Sequence, residues 1–189
     1  MNDIDASVFL MVNASAASPT WVLPLARMAS LELPKALLAG MVGAALFMDR
    51  RQRHDLLAVL LSMLAAWIAA RLIQYAFPVQ RPFALGIGTA WLARAPTSGF
   101  PSTHGSVAFA FALAVGMRSG WTPLSGVALV LGALVAWSRV SLGLHFPSDA
   151  LAGAVVGGLS AWICCRRPEW RILPWRRAEP VPHSNAPLV

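Results

Sequence analysis

The feature that most restricts the fold of this 189-residue chain is a succession of long apolar runs separated by short polar stretches. Five such runs occur, at Leu33–Met48, Leu56–Phe77, Thr103–Met117, Pro123–Trp137 and Pro147–Cys165. Most of these runs are close to or shorter than the length of a bilayer-crossing helix, which is about 17–25 residues. Each run alone is therefore also compatible with a buried helix of a soluble protein. Together with a hydrophobic fraction of 57% and a mean hydropathy of +0.61, their repetition predicts an all-α integral membrane bundle of about five to six transmembrane helices.

The two ends of the chain differ from this apolar middle. Within residues 1–32, Trp21–Leu31 is predicted to be an interfacial helix and Ile4–Val12 a short amphipathic lead-in. The last stretch, 166–189, is basic and contains five prolines, which predicts a poorly ordered tail. The expected organisation is therefore one membrane domain over 1–165 followed by this tail.

The placement of the arginines predicts the orientation. The net charge of +7 could suggest a nucleic-acid partner, but the basic residues cluster between apolar runs, so none is expected. Cytoplasmic loops of membrane proteins carry the excess of Lys and Arg. Nine arginines flank alternate runs: Arg50, Arg51, Arg53, Arg118, Arg166, Arg167, Arg171, Arg176 and Arg177. They predict a cytoplasmic C-terminus and place Pro78–Ser102 and Ser138–Phe146 on the outer face of the cell's inner (plasma) membrane.

These two outer stretches contain regularly spaced polar residues. The turn before the fifth run follows the pattern S-R-x5-H-x3-D, with Arg139, His145 and Asp149. The loop before the third run starts with an R-P pair at Arg81 and ends in P-S-T-H over residues 101–104. Because successive runs cross in opposite directions, all three clusters are expected at one membrane level.

The residue types in these clusters predict a site for phosphate. The planar guanidinium groups of Arg81 and Arg139 suit phosphoryl oxygens better than a lysine does. Ser102 could cap its helix or donate its hydroxyl to a phosphoryl oxygen, and the backbone amide of Thr103 could join the cradle. Both outer stretches also begin helices, whose free N–H groups and positive dipole end favour an anion.

Two histidines could react with a bound phosphate. Phosphate esters and diphosphates hydrolyse extremely slowly unaided, which favours a covalent intermediate on a side chain. His145 is the predicted nucleophile, because Asp149 lies one helical turn onward and could accept a hydrogen bond from its second ring nitrogen. His104 is predicted to protonate the departing oxygen and then to deprotonate the attacking water.

At these residues the sequence resembles the type 2 phosphatidic acid phosphatase (PAP2) superfamily, whose motifs are K-x6-R-P, P-S-G-H and S-R-x5-H-x3-D. The third motif is matched in full, whereas Thr103 replaces the glycine of the second and Gln74 the lysine of the first. At both of these positions the sequence resembles undecaprenyl diphosphate phosphatases of the bacitracin-resistance type. Over Leu33 to Cys165, the resemblance implies a helical bundle with a PAP2/acid-phosphatase-like core, a phosphohistidine at His145, and neither a metal requirement nor a cofactor.

Two polar residues inside the second run lie outside these clusters. Arg71 and Gln74 are three residues apart and therefore share a helix face, and such groups rarely face lipid. Arg71 could replace the missing lysine as a phosphate contact, or it could pair with a carboxylate such as Glu32. An interhelical structural pairing is the remaining interpretation.

The residues together predict a membrane lipid phosphatase, and the resemblance implies undecaprenyl diphosphate as its substrate. Phosphatidylglycerophosphate, phosphatidic acid and lipid A are alternative substrates, and transfer to another lipid is an alternative reaction. A proton or anion transporter built on His104, His145, Asp149 and Arg71 is a different class of hypothesis, and a membrane scaffold is a third. Membrane lipids are the only other partners expected.

Overall fold

The computed structural model describes residues 3–93, 97–120 and 122–166, and the regular structure within these ranges is helical. The helices are α1 (Asp3–Val12), α2 (Val22–Arg27), α3 (Leu33–Ala45), α4 (Arg50–Ala76), α5 (Thr103–Ser119), α6 (Pro123–Ser141) and α7 (Pro147–Cys165). A π-helical turn, Met28–Glu32, joins α2 to α3, and a 3₁₀ turn, Pro82–Leu85, lies in the loop after α4. The tail predicted to be poorly ordered lies outside the described residues from 167 onward.

The first membrane segment is longer than the sequence pattern predicts. Helix α2, the π turn and α3 form one continuous segment, Val22–Ala45, which is long and apolar enough to cross a membrane. The structure has no break between Trp21–Leu31, predicted as a separate interfacial helix, and the first apolar run. Pro34 accounts for the π turn, because proline has no N–H and its ring clashes with the carbonyl four residues earlier. The backbone widens there, and the Leu33 N–H bonds the Met28 carbonyl five residues back.

Helices α4, α6 and α7 are also long and apolar enough to cross a membrane, and α5 is slightly shorter with 17 residues. With the first segment, they account for the five predicted runs. Their outer surfaces expose large apolar side chains, such as Leu72 on α4, Val130 on α6 and Leu151 on α7. An apolar surface this extensive indicates contact with lipid, which confirms the predicted helical membrane bundle.

Helix α5 packs against α4, α6 and α7, and it meets α7 in direct backbone contact. A Cβ atom on Gly153 would lie 2.8 Å from the carbonyl oxygen of Ser102. A Cβ atom on Gly157 would lie 2.7 Å from the amide nitrogen of Ala110. The two glycines, four residues apart on one face of α7, therefore permit an approach that any side chain would prevent.

The alternating directions of α4 to α7 sort the polar residues to two ends of the bundle. At one end, Arg118 near the end of α5 donates to the carboxylate of Asp55 near the start of α4. The arginines within 50–53 and Arg166 belong to the same end. The opposite end holds the loop after α4, the starts of α5 and α7, and the end of α6, which are the stretches predicted to form the phosphate site.

Helix α1 covers part of that opposite end. Phe9 is fully buried and meets Phe146 edge-to-face, with 5.3 Å between the ring centroids. The Asp5 carboxylate accepts hydrogen bonds from the backbone N–H and the hydroxyl of Ser148, at 3.0 and 2.5 Å. The predicted helix over Ile4–Val12 is therefore present, and it packs on the turn between α6 and α7.

Candidate active site

The turn between α6 and α7 carries His145 into the polar end of the bundle. Gly143 adopts a φ of 76°, which allows the chain to reverse direction, and the carbonyl of Thr89 packs against its Cα. The Leu144 N–H donates to the Arg139 carbonyl at 3.0 Å and closes the turn. The backbone that holds the predicted nucleophile is therefore fixed on both sides.

The partners of His145 define which nitrogen of its ring carries the proton. The ring is 2% exposed, with Nδ1 lying 2.8 Å from the Gly99 carbonyl oxygen and Nε2 lying 3.0 Å from Nη1 of Arg81. A carbonyl only accepts hydrogen bonds and a guanidinium only donates them, so the neutral ring is assigned a proton on Nδ1 and a lone pair on Nε2. That lone pair is directed at an arginine predicted to bind phosphate.

Arg81 is held in place by backbone carbonyls. Its Nε donates to Thr97 at 2.9 Å, its Nη1 to Leu144 at 3.0 Å, and its Nη2 to Ser98 at 3.1 Å. These acceptors are neutral carbonyls, and they orient the guanidinium. Its charge and its forked donors suit the oxygens of a phosphate.

Asp149 contacts the start of α7 more closely than it contacts His145. Its Oδ2 accepts from the Phe146 N–H at 2.8 Å and lies 3.5 Å from Nδ1 of His145. The sequence predicts Asp149 as the acceptor for this nitrogen, but the Gly99 carbonyl is nearer. A Cβ atom on Gly99 would lie 3.1 Å from Cγ of Arg81 and 3.4 Å from the Asp149 carboxylate, so the glycine allows the loop to approach this closely.

The start of α5 is bonded to both α7 and α4. Ser102 is fully buried and caps α5, because its hydroxyl oxygen accepts from the Gly105 N–H at 3.3 Å. Its own N–H donates to the backbone carbonyl of Asp149 at 2.9 Å. Of the two roles predicted for Ser102, the structure shows the cap. The Thr103 hydroxyl accepts from Nε2 of Gln74 at 2.9 Å.

Gln74, at the position of the family's lysine, is a buried connector between helices. Its Nε2 also donates to the Pro101 carbonyl at 2.8 Å, and its Oε1 accepts from Nη1 of Arg71 at 3.2 Å. Glu32 pairs with Lys35 at 3.0 Å on the protein surface, so the predicted alternative of an Arg71–Glu32 pair is wrong. The bonds instead lead from Arg71 to the first turn of α5.

Arg139 is the most deeply buried of the arginines predicted to bind phosphate. Its side chain is 1% exposed, and its Nη1 donates to the hydroxyl of Ser30 at 2.5 Å. Ser30 belongs to the π turn and is itself 2% exposed. Nothing in the sequence indicates this contact, because a single serine in an apolar stretch resembles any other buried serine.

His104 lies at the boundary between the polar groups and an apolar cavity of about 300 Å³. The cavity lies among α3, α4, α5 and α6, with walls that include Leu37, Met63, Val107 and Leu131. His104 is on the first turn of α5, and His145 lies in the turn before α7, separated from the helix by Phe146. The two histidines therefore lie near the starts of the two helices that backbone contact holds together.

Direct bonds thus bring together most of the residues predicted for the site. The groups joined by these contacts are Arg81, His145, Asp149 and Ser102, and separately Arg71, Gln74 and Thr103. Arg139 is connected to the first group through the turn that carries His145. His104 follows Thr103 on α5. Gly99 and Ser30 are the contributors that sequence reasoning missed. The position of Gly99, just before the P-S-T-H motif, is the one signal that could have indicated its role.

Comparison with known proteins distinguishes among the hypotheses. The family model described as the PAP2 superfamily matches residues 35–173. The chain belongs to the PAP2 superfamily. The match includes the R-P, P-S-T-H and S-R-x5-H-x3-D clusters, so the family's characteristic segment contains most of the site described above.

This PAP2 protein is similar to relatives with related names. YbjG of Escherichia coli strain K12, named provisionally as an undecaprenyl-diphosphatase, is 32% identical over 167 residues, which cover 86% of this chain and 83% of YbjG. The undecaprenyl-diphosphatase of Sulfolobus acidocaldarius is 29% identical over 124 residues, which cover 65% of this chain and 58% of the relative.

Two solved structures share the fold at 20% sequence identity. LpxE of Aquifex aeolicus superposes with a TM-score of 0.73, covering 88% of this chain and 97% of LpxE. A transmembrane PAP2 type phosphatidylglycerolphosphate phosphatase of Bacillus subtilis superposes with a TM-score of 0.60, covering 85% of this chain and 82% of that enzyme. The family and the fold identify a membrane lipid phosphatase, and this replaces the transporter and scaffold hypotheses.

Proposed function

We propose that this PAP2 protein hydrolyses undecaprenyl diphosphate to undecaprenyl phosphate and inorganic phosphate through a covalent intermediate on His145. The observation that carries the mechanism is the orientation of the His145 ring. Nδ1 is bonded to the Gly99 carbonyl, and the lone pair of Nε2 is directed at Nη1 of Arg81. A phosphate bound by Arg81 would therefore lie next to an unprotonated nucleophile.

In the proposed first step, the terminal phosphate replaces His145 as an acceptor for Arg81. Nε2 attacks phosphorus, and the bond between phosphorus and the bridging oxygen breaks. The departing oxygen of the lipid monophosphate takes a proton from His104. The ring gains positive charge, which the Gly99 carbonyl and the Asp149 carboxylate stabilise at Nδ1.

In the proposed second step, His104 removes a proton from a water molecule. The water oxygen attacks phosphorus, the phosphorus–nitrogen bond breaks, and its electron pair returns to Nε2 of His145. Inorganic phosphate leaves, and His104 is protonated again for the next cycle. The residues described here supply every proton transfer, so the proposal includes no metal ion.

Three further groups complete the proposed phosphate site. Arg139 and the backbone N–H groups at the start of α5 would bind the remaining oxygens. Arg71 would replace the lysine that is missing at Gln74, since its bond to Gln74 holds it beside Thr103. The Ser102 hydroxyl would serve as the helix cap and not as a ligand.

The apolar cavity beside His104 supports a lipid as the substrate. Ligand sites are concave and mostly apolar, with a few polar groups that fix orientation. Here the cavity would receive the part of the lipid's hydrocarbon chain that lies next to the diphosphate. The names of the two relatives and the P-S-T-H variant favour a polyprenyl chain. Apolar walls would accept an acyl chain as well, so glycerolipid phosphates are the competing substrates.

The proposed location is the inner membrane, with the site facing outward and the tail in the cytoplasm. The arginines support it, because Arg118, Arg166 and those within 50–53 lie at the end of the bundle opposite His145. Cytoplasmic ends of membrane segments carry such an excess.

Release of phosphate in detergent, with a chelator present, tests the substrate and the mechanism together. We expect the purified protein to release phosphate fastest from undecaprenyl diphosphate, and more slowly from phosphatidylglycerophosphate and phosphatidic acid. The rates should not depend on the chelator. A preference for a glycerolipid would overturn the substrate and keep the mechanism. Failure of a folded protein to release phosphate from any of the three would overturn both.

Replacing His104 by alanine is expected to lower lipid diphosphate hydrolysis about a hundredfold or more, because the bridging oxygen then leaves without a proton. An aryl phosphate such as p-nitrophenyl phosphate has a leaving group that needs no proton. The variant should therefore still release one equivalent of nitrophenolate in a rapid burst and then stop, since the second step lacks its base. Stopped-flow absorbance measures this burst.

The matched control is His54→Ala, which removes an exposed histidine from the start of α4 at the other end of the bundle. It should retain wild-type rates on both substrates. A His104→Ala protein that turns over p-nitrophenyl phosphate without a burst and at the wild-type rate would contradict the role of His104.

A further inference from the structure

We infer that Ser30 is a positioning residue of the phosphate site, whose hydroxyl sets the orientation of the Arg139 guanidinium. The inference rests on the proposed function, in which Arg139 binds the transferred phosphate. Ser30 precedes the family-matched region, 35–173, so membership of the family gives it no role. It belongs to the π turn, Met28–Glu32, of the first membrane segment.

The contact between Ser30 and Arg139 is short and enclosed. The hydroxyl oxygen lies 2.5 Å from Nη1, and the two residues are 2% and 1% exposed. A hydrogen bond to a charged donor is stronger than one between neutral groups, and a low-dielectric interior strengthens it further. The serine is a neutral acceptor, so it holds one end of the planar guanidinium without neutralising its charge.

The π turn places this serine where the residues of the first membrane segment stop being buried in the bundle. Ala26 and Ala29 are fully buried, as is Ser30, whereas none of the described residues Leu33–Ala45 is buried. Beyond the turn, α3 instead forms a wall of the apolar cavity through Leu37. Ser30 is thus the last inward-facing residue before the chain begins to line the proposed lipid site.

The other side of Arg139 is fixed by the turn that carries the nucleophile. Its backbone carbonyl accepts from the Leu144 N–H at 3.0 Å, one residue before His145. The Ser30 bond therefore joins the first membrane segment to the loop of His145 through one arginine. Loss of the hydroxyl would leave the backbone of this arginine in place but remove the hydrogen bond that orients its side chain at Nη1.

The test uses Ser30→Ala, the conservative variant Ser30→Thr, and Ser160→Ala as the matched control. Ser160 is also a buried serine of a membrane helix, but its hydroxyl donates to the Val156 carbonyl of its own helix at 2.8 Å. We expect Ser30→Ala to raise KM and the inhibition constant of inorganic phosphate about tenfold, with a smaller change in kcat. Ser30→Thr should restore both constants to within about twofold, and Ser160→Ala should leave them unchanged.

A second measurement does not depend on the identity of the lipid. Inorganic phosphate should raise the Tm of the wild type, because a ligand that binds the folded state stabilises it. The same phosphate concentration should raise the Tm of Ser30→Ala much less, whatever its Tm without phosphate. An equal phosphate-dependent shift in the wild type and in Ser30→Ala would overturn the role of Ser30. Absence of any shift in the wild type, together with absence of activity, would instead overturn the proposed phosphate site.

Discussion

Replacing His145 by alanine is expected to lower phosphate release by at least about a thousandfold, because the covalent route then has no nucleophile. Substrate carrying ³²P in its terminal phosphate should label the wild-type protein during turnover. The label should be stable in alkali and labile in acid, as expected for a phosphorus–nitrogen bond. His145→Ala should acquire none of it.

His104→Ala provides the contrast for this labelling experiment. Its first step still has a nucleophile but its second step lacks a base, so with p-nitrophenyl phosphate it should accumulate the label to a higher level than the wild type. Labelling of folded His145→Ala at the wild-type level would show that another side chain is the nucleophile. Residual activity above a few per cent would show that water attacks the substrate directly.

Replacing Arg81 by lysine is expected to lower kcat/KM about a hundredfold, although the positive charge is kept. The guanidinium donates in several directions at once, to the carbonyls of Thr97 and Leu144 and to Nε2 of His145. A lysine carries its donors on one atom and cannot reproduce this fork. The substitution should weaken the phosphate contact and disturb the orientation of the His145 ring, so kcat should fall and KM should rise.

Arg118→Lys is the matched control for Arg81→Lys. Arg118 is also an arginine with a direct partner, Asp55, but it lies at the other end of the bundle. A lysine there can keep the ion pair, so we expect kinetic constants close to those of the wild type. Thermal melting of both variants separates a loss of folding from a loss of catalysis. A kcat/KM of Arg81→Lys within a factor of about two of the wild type would disprove a specific need for the guanidinium.

The sequence predicts the membrane helices well because their signal is local. Pro147–Cys165 is both the predicted fifth run and the observed α7, since a proline begins the helix and the apolar residues continue without interruption. The continuity of the first segment is not visible in the sequence pattern. Glu32, Pro34 and Lys35 interrupt the hydrophobic pattern and resemble a helix boundary, but the π turn carries the helix through them.

The candidate site was predictable where side chains carry the chemistry. The arginines and histidines of the three clusters lie at the same end of the bundle because successive helices reverse direction. The Gly99 carbonyl could not be predicted as the acceptor for His145, because every residue has a carbonyl and only the tertiary fold selects one. The function of Gln74 as a connector to Thr103 depends in the same way on how α4 packs against α5.

The backbone contact between α5 and α7 restricts how the protein can move during turnover. At Gly153 and Gly157 the two helices meet without intervening side chains, so neither can slide along the other without first separating. We therefore expect the distance between His104, on α5, and His145, in the turn before α7, to change little while lipids enter and leave. We expect the freedom that a bulky substrate needs to come from α3, whose residues Leu33–Ala45 are not buried. In mechanical terms, the two histidines would form a rigid frame, and the adjacent membrane-facing helix would yield to admit a lipid from within the bilayer.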